Sequence, residues 1–206
     1  MIERAANLAV LDWLEHGFGT RLSEAWPPAP GYANLRQIHS SVVVRVAAGA
    51  CGVLGEGDAL VSDEPGVWIG IRTADCAPVI LADPIRRAVA VAHAGWRGAV
   101  GGVVTRTLER MRAEFGTEPG DVVAAVGPAI GPCCFEVGEE VAVQFGRQGR
   151  AYIDLRGAIV AQLAAAGVAG AQLTGACTRC TEDRYHSFRR DREASGRMVS
   201  AVRIRL

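Results

Sequence analysis

The chain is expected to fold as an α+β protein, with mixed β-sheets packed between helices. Three observations lead there. Apolar, β-branched runs follow one another through residues 41–93 without an intervening helical pattern, whereas a doubly wound parallel sheet alternates strand and helix. Several of these runs lack polar alternation and so read as strands buried on both faces. Helix-period segments then enter in the second half of the chain, mixed with further strands.

Taken in order, the first twenty residues, MIERAANLAVLDWLEHGFGT, carry early charges and no basic stretch leading into an apolar one, so they do not read as a signal peptide. Residues 23–35, with three prolines, read as an exposed loop. The strands expected next are SVVVRVA (41–47), DALVS (58–62), GVWIGIR (66–72), APVILAD (77–83) and RAVAVAH (87–93). After HAGWRG the apolar period changes. Val100, Val103, Val104, Leu108 and Met111 recur at helical spacing, and Gly116 is placed to close the helix. DVVAAVG (121–127) is another strand and VGEEVAVQFG (137–146) a short helix. DLRGAIVAQLAAAGV (154–168) is a helix capped by Asp154, and GRMVSAVRIRL a final strand. Residues 1–206 read as one domain with a sizeable core.

All 22 basic residues are arginine and they balance 22 acidic ones, so net charge gives no argument for nucleic acid or a membrane surface as partner. The absence of lysine excludes a Schiff-base enzyme, a pyridoxal phosphate attachment and a P-loop, each of which needs the amine. No apolar stretch reaches the roughly 18 residues of a membrane span. A cytosolic location is expected, where six cysteines act as thiols or ligands rather than disulfides.

The chemistry concentrates in TADCAPVILADPIRRAVAVAHAGWRG, which sets Cys76 and His93, 17 positions apart, at the edges of two apolar runs. His39, in LRQIHSSVVV, precedes another strand. One cysteine and two histidines form a borderline-soft donor set suited to zinc, with a fourth position left open for water or substrate. The competing structural reading is a buried thiol beside two ordinary hydrogen-bonded histidines. Arg97 stands at a helix N-terminus, where free N–H groups favour an anion, or else forms an ion pair under Trp96. Arg189 and Arg190 are a second basic pair, able to close over phosphate or to stay solvated. Cys177, Cys180 and His186 resemble half of a structural zinc site, but no second C-x-x-C is present, so a buried thiol is the expectation. Cys133 and Cys134 are expected to form part of a pocket wall, and His16 to be structural.

Five stretches, RQIHS, GDALVSDEPGVWIGIRTADCAPVILADP, AVAVAHAGWRGAVGG, AAVGPAIGPCCFEVGEEV and HSFRRD with GRMVSAVRI, together resemble the laccase-domain proteins. That family, also called multicopper polyphenol oxidase-like, includes zinc-dependent purine nucleoside phosphorylases and the bacterial peptidoglycan editing factor. The resemblance covers residues 36–206. It implies a four-layer αββα arrangement and one active-site zinc bound by His39, Cys76 and His93, with Cys76 and His39 also catalytic. It further implies phosphorolysis of adenosine, inosine and methylthioadenosine, adenosine deamination, and roles for Arg21, Arg97 and Arg189 in holding substrate or phosphate. Family members usually run longer before the first ligand histidine. This chain keeps HGFGTR (16–21) and then reaches NLRQIH by a short proline-rich loop, which alters part of the expected pocket.

Two other functional classes compete. A coupled multicopper oxidase needs many imidazoles, which four histidines do not furnish; phenol oxidation would come only from adventitious copper in the zinc site. A hydrolase of amide or peptidoglycan-like substrates, with Cys76 as nucleophile and His93 as base, would work without metal.

Overall fold

The computed structural model describes residues 1–23, 25–28 and 31–206. In chain order it contains β1 (Ile2–Glu3), α1 (Ala6–Ala9), β2 (Leu14–Gly19), β3 (Ala33–Arg36), β4 (Val43–Arg45), β5 (Gly52–Glu56) and β6 (Ala59–Ser62). There follow β7 (Ile69–Thr73), β8 (Ala77–Asp83), β9 (Ala88–Ala94), α2 (Trp96–Val100), α3 (Val103–Phe115), β10 (Val123–Val126) and β11 (Glu136–Val137). The remainder is α4 (Glu139–Ala142), β12 (Ala151–Tyr152), α5 (Leu155–Ala165), β13 (Ala171–Leu173), α6 (Phe188–Asp191) and β14 (Met198–Ile204).

Two mixed six-stranded sheets result, ordered β1-β2-β14-β7-β3-β5 and β13-β10-β8-β9-β6-β4. The mixed-sheet α+β class expected from the sequence is the one observed. β8 and β9 pair antiparallel over their whole length, from Ala77↔Ala94 to Asp83↔Ala88, and every residue of both is buried. The reason is that the second sheet is covered on both faces. Leu60, Ile80, Val89 and Val91 point toward Phe18, Ile69, Ile71 and Val202 of the first sheet. Their neighbours Val61, Val79, Leu81 and Ala90 pack against Val104, Leu108 and Met111 of α3 and Ile159 and Leu163 of α5. Burying such side chains stabilises by about 1.5–3 kcal/mol each. A continuous apolar strand is the pattern this double burial demands.

Aromatic side chains lie against a face of the first sheet. Trp26 packs edge-on to Trp68 with ring centroids 4.9 Å apart, and the guanidinium of Arg203 lies 4.7 Å over Trp68. Glycines in β2 and β7 make room: a Cβ at Gly17 would meet Trp26 at 2.8 Å, and one at Gly70 would meet Tyr32 at 2.7 Å. Of the loop expected over 23–35, Glu24, Ala29 and Pro30 lie outside the described residues, while Ala33, Asn34 and Leu35 have joined β3. The helix expected after HAGWRG is split into α2 and α3 because Gly102, with φ 73°, takes a left-handed conformation that ends one helix and starts the next. Gly116 closes α3 in the same conformation, and Asp154 caps α5 by accepting from Gly157 N at 2.9 Å.

Candidate active site

His39, Cys76 and His93 come together at one end of the sheets. Their ligating atoms all lie within 4.8 Å of one another. Each is delivered by a different local device. His93 is the penultimate residue of β9, opposite Pro78 in the register with β8, so its position is fixed by the ladder. Cys76 immediately precedes β8 and follows Asp75, whose φ of 85° turns the chain sharply into the strand. His39 sits beyond β3, itself at φ 59°, in a conformation non-glycine residues seldom adopt.

Asp58, fully buried ahead of β6, is what holds the His39 turn. Its Oδ1 accepts from His39 N at 3.0 Å, and its Oδ2 accepts from Ser40 N at 2.6 Å and Ser40 Oγ at 2.7 Å. The same Oδ1 lies 2.8 Å from His93 Nδ1. One carboxylate therefore orients two of the three candidate ligands and, by accepting a hydrogen bond from His93 Nδ1–H, leaves the Nε2 lone pair free for a metal. Burial alone would raise the Asp58 carboxyl, but hydrogen bonds from His93 and Ser40 bring it down to about 2. Burial likewise opposes charge on His93, yet bonds to Asp58 and Cys76 lift it to about 9. Cys76 is pushed up by burial and brought down, to about 7, by His39 and His93.

These groups fit a metal ion. The soft and borderline donors converge, a buried carboxylate backs one imidazole, and thiolate formation at Cys76 is already favoured. Gly95, which caps α2, keeps the space clear: a Cβ there would stand 2.9 Å from Cys76 Sγ and 3.1 Å from His39 Cδ2. The His39 and His93 rings meet edge-on at 4.9 Å. Binding of a cation would release the protons these groups hold.

The cluster forms part of the wall of a cavity of about 650 Å3, within the range of small-molecule sites. Arg36, Arg72, Arg189 and Arg197 are among its lining residues, as are the aromatic Phe135 and Phe188. Asp75 ties this wall together, accepting from Thr178 Oγ1 and from Arg189 N, both at 2.6 Å. Arg189 Nη1 donates to the carbonyls of Glu136 at 2.9 Å and Cys134 at 3.3 Å, which fixes the guanidinium across the Phe135 ring.

Arg189 is thus at the cavity, whereas Arg21 and Arg97 are not among its lining residues. The side chain of Arg21 is exposed and donates to the Glu182 carbonyl at 2.6 Å. Arg97 is exposed on α2 and lies 4.2 Å over its neighbour Trp96, a cation–π contact. Arg190 is tied to Asp191 and to the carbonyls of Thr178, Arg179 and Tyr185. His16 is buried, accepting from Ala5 N at 3.0 Å. Sequence reasoning missed Asp58 and Asp75 as organisers, and Arg36, Arg72 and Arg197 as lining residues. The only signal for Asp75 was its place directly before Cys76. Asp58 stood at the start of an expected strand with nothing to mark it.

A mixed-sheet α+β fold in which His39, Cys76 and His93 open on an arginine-lined cavity places a candidate metal-binding group beside a space of small-molecule size. The chain belongs to the multi-copper polyphenol oxidoreductase laccase family, whose model matches residues 20–205. It is 42% identical over 184 residues to a purine nucleoside phosphorylase of Deinococcus radiodurans, covering 84% of this chain and 70% of that protein. It is 40% identical over 161 residues to adenosine deaminase RL5 from an unknown prokaryotic organism, covering 70% of this chain and 61% of that one. Among solved structures, YlmD from Geobacillus stearothermophilus superposes with a TM-score of 0.88 at 26% identity, covering 98% of this chain and 94% of that one. No helix among the described residues is long and apolar enough to cross a membrane.

Proposed function

We propose that the protein is a zinc-dependent purine nucleoside enzyme, carrying out phosphorolysis of adenosine, inosine and methylthioadenosine and deamination of adenosine. The observation that carries this reading is the opening of the His39, Cys76 and His93 cluster onto a cavity lined by four arginines and two phenylalanines. The names of the relatives, phosphorylase and deaminase, point the same way.

When bound, zinc supplies Lewis acidity and an acidified water. The chain's own residues supply the rest. Arg189, with Arg72 and Arg197 of the same cavity lining, offers planar donors to phosphate. Phe135 and Phe188 give a base an apolar surface to lie against. Asp58 holds the proton on His93 Nδ1, and Asp75 keeps the Arg189 main chain and Thr178 in register. Copper would compete for the same three ligands, since it binds such sites more tightly than zinc. The reading makes residues 1–206 one functional unit acting on soluble nucleoside and phosphate in the cytoplasm.

The test is to incubate the purified, zinc-containing protein with adenosine, with and without phosphate, and to resolve adenine, inosine and hypoxanthine by chromatography. Phosphate-dependent free base, with inosine formed in its absence, is the expected result. No product under either condition would overturn the reading. One observation favours a second: Cys76, held near neutrality by His39 and His93, resembles the nucleophile of a cysteine hydrolase. Turnover of an amide by metal-free protein would support that alternative.

A further inference from the structure

A second group of soft ligands lies apart from the His39, Cys76 and His93 cluster. Cys133 and Cys134 follow the turn that leaves β10, and Cys177 and Cys180 lie on the segment that leaves β13. These two segments are brought side by side by a parallel bridge between Ala129 and Cys177 and by Thr178 N donating to the Ala129 carbonyl at 3.1 Å. All four Sγ atoms lie within 4.8 Å of one another, with Cys134 to Cys180 at 3.3 Å and Cys133 to Cys180 at 3.6 Å.

That spacing discriminates between the fates of clustered thiols. Four Zn–S bonds of about 2.3 Å in a tetrahedron set sulfur–sulfur edges of about 3.8 Å. A disulfide needs about 2.05 Å and would satisfy the sulfurs in pairs rather than as a group. A four-iron cluster spreads its cysteines farther apart than a single ion does. The local backbone is also shaped to the sulfurs. Gly131 N donates to Cys177 Sγ at 3.2 Å, and a Cβ at Gly131 would press on Cys177 Cβ at 3.1 Å and Cys133 Sγ at 3.3 Å. Arg179 Nη1 donates to Cys134 Sγ at 3.5 Å, a cation placed to offset the charge of a thiolate.

We propose that Cys133, Cys134, Cys177 and Cys180 bind one zinc ion as a closed four-thiolate site, separate from the Cys-His-His cluster. With all four positions filled by protein, such an ion is structural rather than catalytic. What it holds in place is the cavity wall. The first cysteine pair is flanked by Ile130 and Phe135, and the second leads through Thr178, bonded to Asp75, to Phe188 and Arg189. Arg189 returns to the Cys134 carbonyl, so the ion closes a loop that includes the cavity's best-anchored arginine. The sequence conceals this site because its one C-x-x-C is completed by a vicinal pair rather than by a second C-x-x-C, with Cys133 and Cys180 separated by 47 positions.

The experiment is metal analysis by mass spectrometry on protein purified under reducing conditions. Two zinc ions per chain are expected in the parent protein. One should remain in His39→Ala and a different one in Cys177→Ser/Cys180→Ser. Cobalt substitution of the parent protein tells the two sites apart without relying on a variant's folding: filling both should give the strong thiolate-to-cobalt absorption of a four-thiolate centre, well above what the single thiolate of the Cys-His-His cluster supplies. After chelation and denaturation without reductant, Cys133, Cys134, Cys177 and Cys180 should all react with a thiol reagent, read by peptide mapping. A single zinc per chain, lost entirely in His39→Ala, would overturn the proposal. So would a shortfall of reactive thiols, which would reveal disulfides in place of the site.

Discussion

Replacing Asp58 by asparagine changes one atom and breaks two functions at once. The carboxylate accepts from His39 N and His93 Nδ1 through Oδ1, and from Ile38 N, Ser40 N and Ser40 Oγ through Oδ2. Asparagine has one acceptor, so its amide must face donors in either orientation. Facing Oδ2's partners, it unseats the turn that carries His39. Facing His93, it forces the imidazole to put its proton on Nε2, the nitrogen needed for a metal. Charge-assisted bonds contribute about 1.5–3 kcal/mol each, and breaking a buried charged pair costs about 3–5 kcal/mol. A loss of about 3–5 kcal/mol in unfolding free energy is therefore expected, read from urea midpoints with the slope checked for constancy. Affinity for the metal equivalent that His39→Ala abolishes should fall about 10–100-fold, the usual effect of losing a carboxylate behind a ligating histidine. Competition with a chromophoric chelator measures it. An Asp58→Asn protein with parental zinc affinity and stability within about 1 kcal/mol would refute the role given to this carboxylate.

His16 makes acid stability a measurable quantity. Burial and the positive charge of Arg4 lower it from 6.5 to about 4 in the folded chain, so its contribution is complete above pH 6.5 and is lost as pH falls toward 4. Between pH 7.5 and pH 5 this removes about 2 kcal/mol. His16→Gln, which keeps an acceptor for Ala5 N, should lose less stability over that interval than the parent; equal losses in urea titrations would discard the explanation. Gly95→Ala should keep the fold, by circular dichroism, but reduce metal content at the His39 cluster, because the added Cβ stands 2.9 Å from Cys76 Sγ. Unchanged metal stoichiometry would show that the cradle yields. Arg189→Lys should raise the KM for phosphate about 10-fold or more, since a lysine does not reproduce a planar fork. An unaltered KM would remove Arg189 from phosphate binding.

Much of the second sheet was legible because its physics is local. Apolar runs such as APVILAD and RAVAVAH encode burial on both faces, and they form β8 and β9 within a residue of the expected limits. The first sheet was harder to read. LEHGFG, in β2, carries two glycines and a histidine, a poor strand by propensity. It pairs because β14 supplies a long antiparallel partner, and its glycines leave room for Trp26. The helix expected through Gly101 and Gly102 shows the converse error, in which apolar period outweighed the break that a glycine pair permits. At the candidate site, His39, Cys76 and His93 were visible as unusual types near strand ends. Asp58, Asp75 and the lining arginines were not, because acidic and arginine residues are common and only long-range pairing singles them out. Helix position argued for Arg97, but α2 spans only Trp96–Val100 and Arg97 turns to Trp96.

The central claim is that His39, Cys76 and His93 hold a zinc ion on which nucleoside turnover depends. Its most direct test is to strip the protein with a chelator, restore zinc in measured equivalents and follow products from adenosine at each addition, with phosphate present. The account predicts no product from the stripped protein and recovery in step with filling of the cluster, absent in Cys76→Ser at any zinc level. Full turnover by metal-free protein, or recovery in Cys76→Ser equal to the parent, would contradict it.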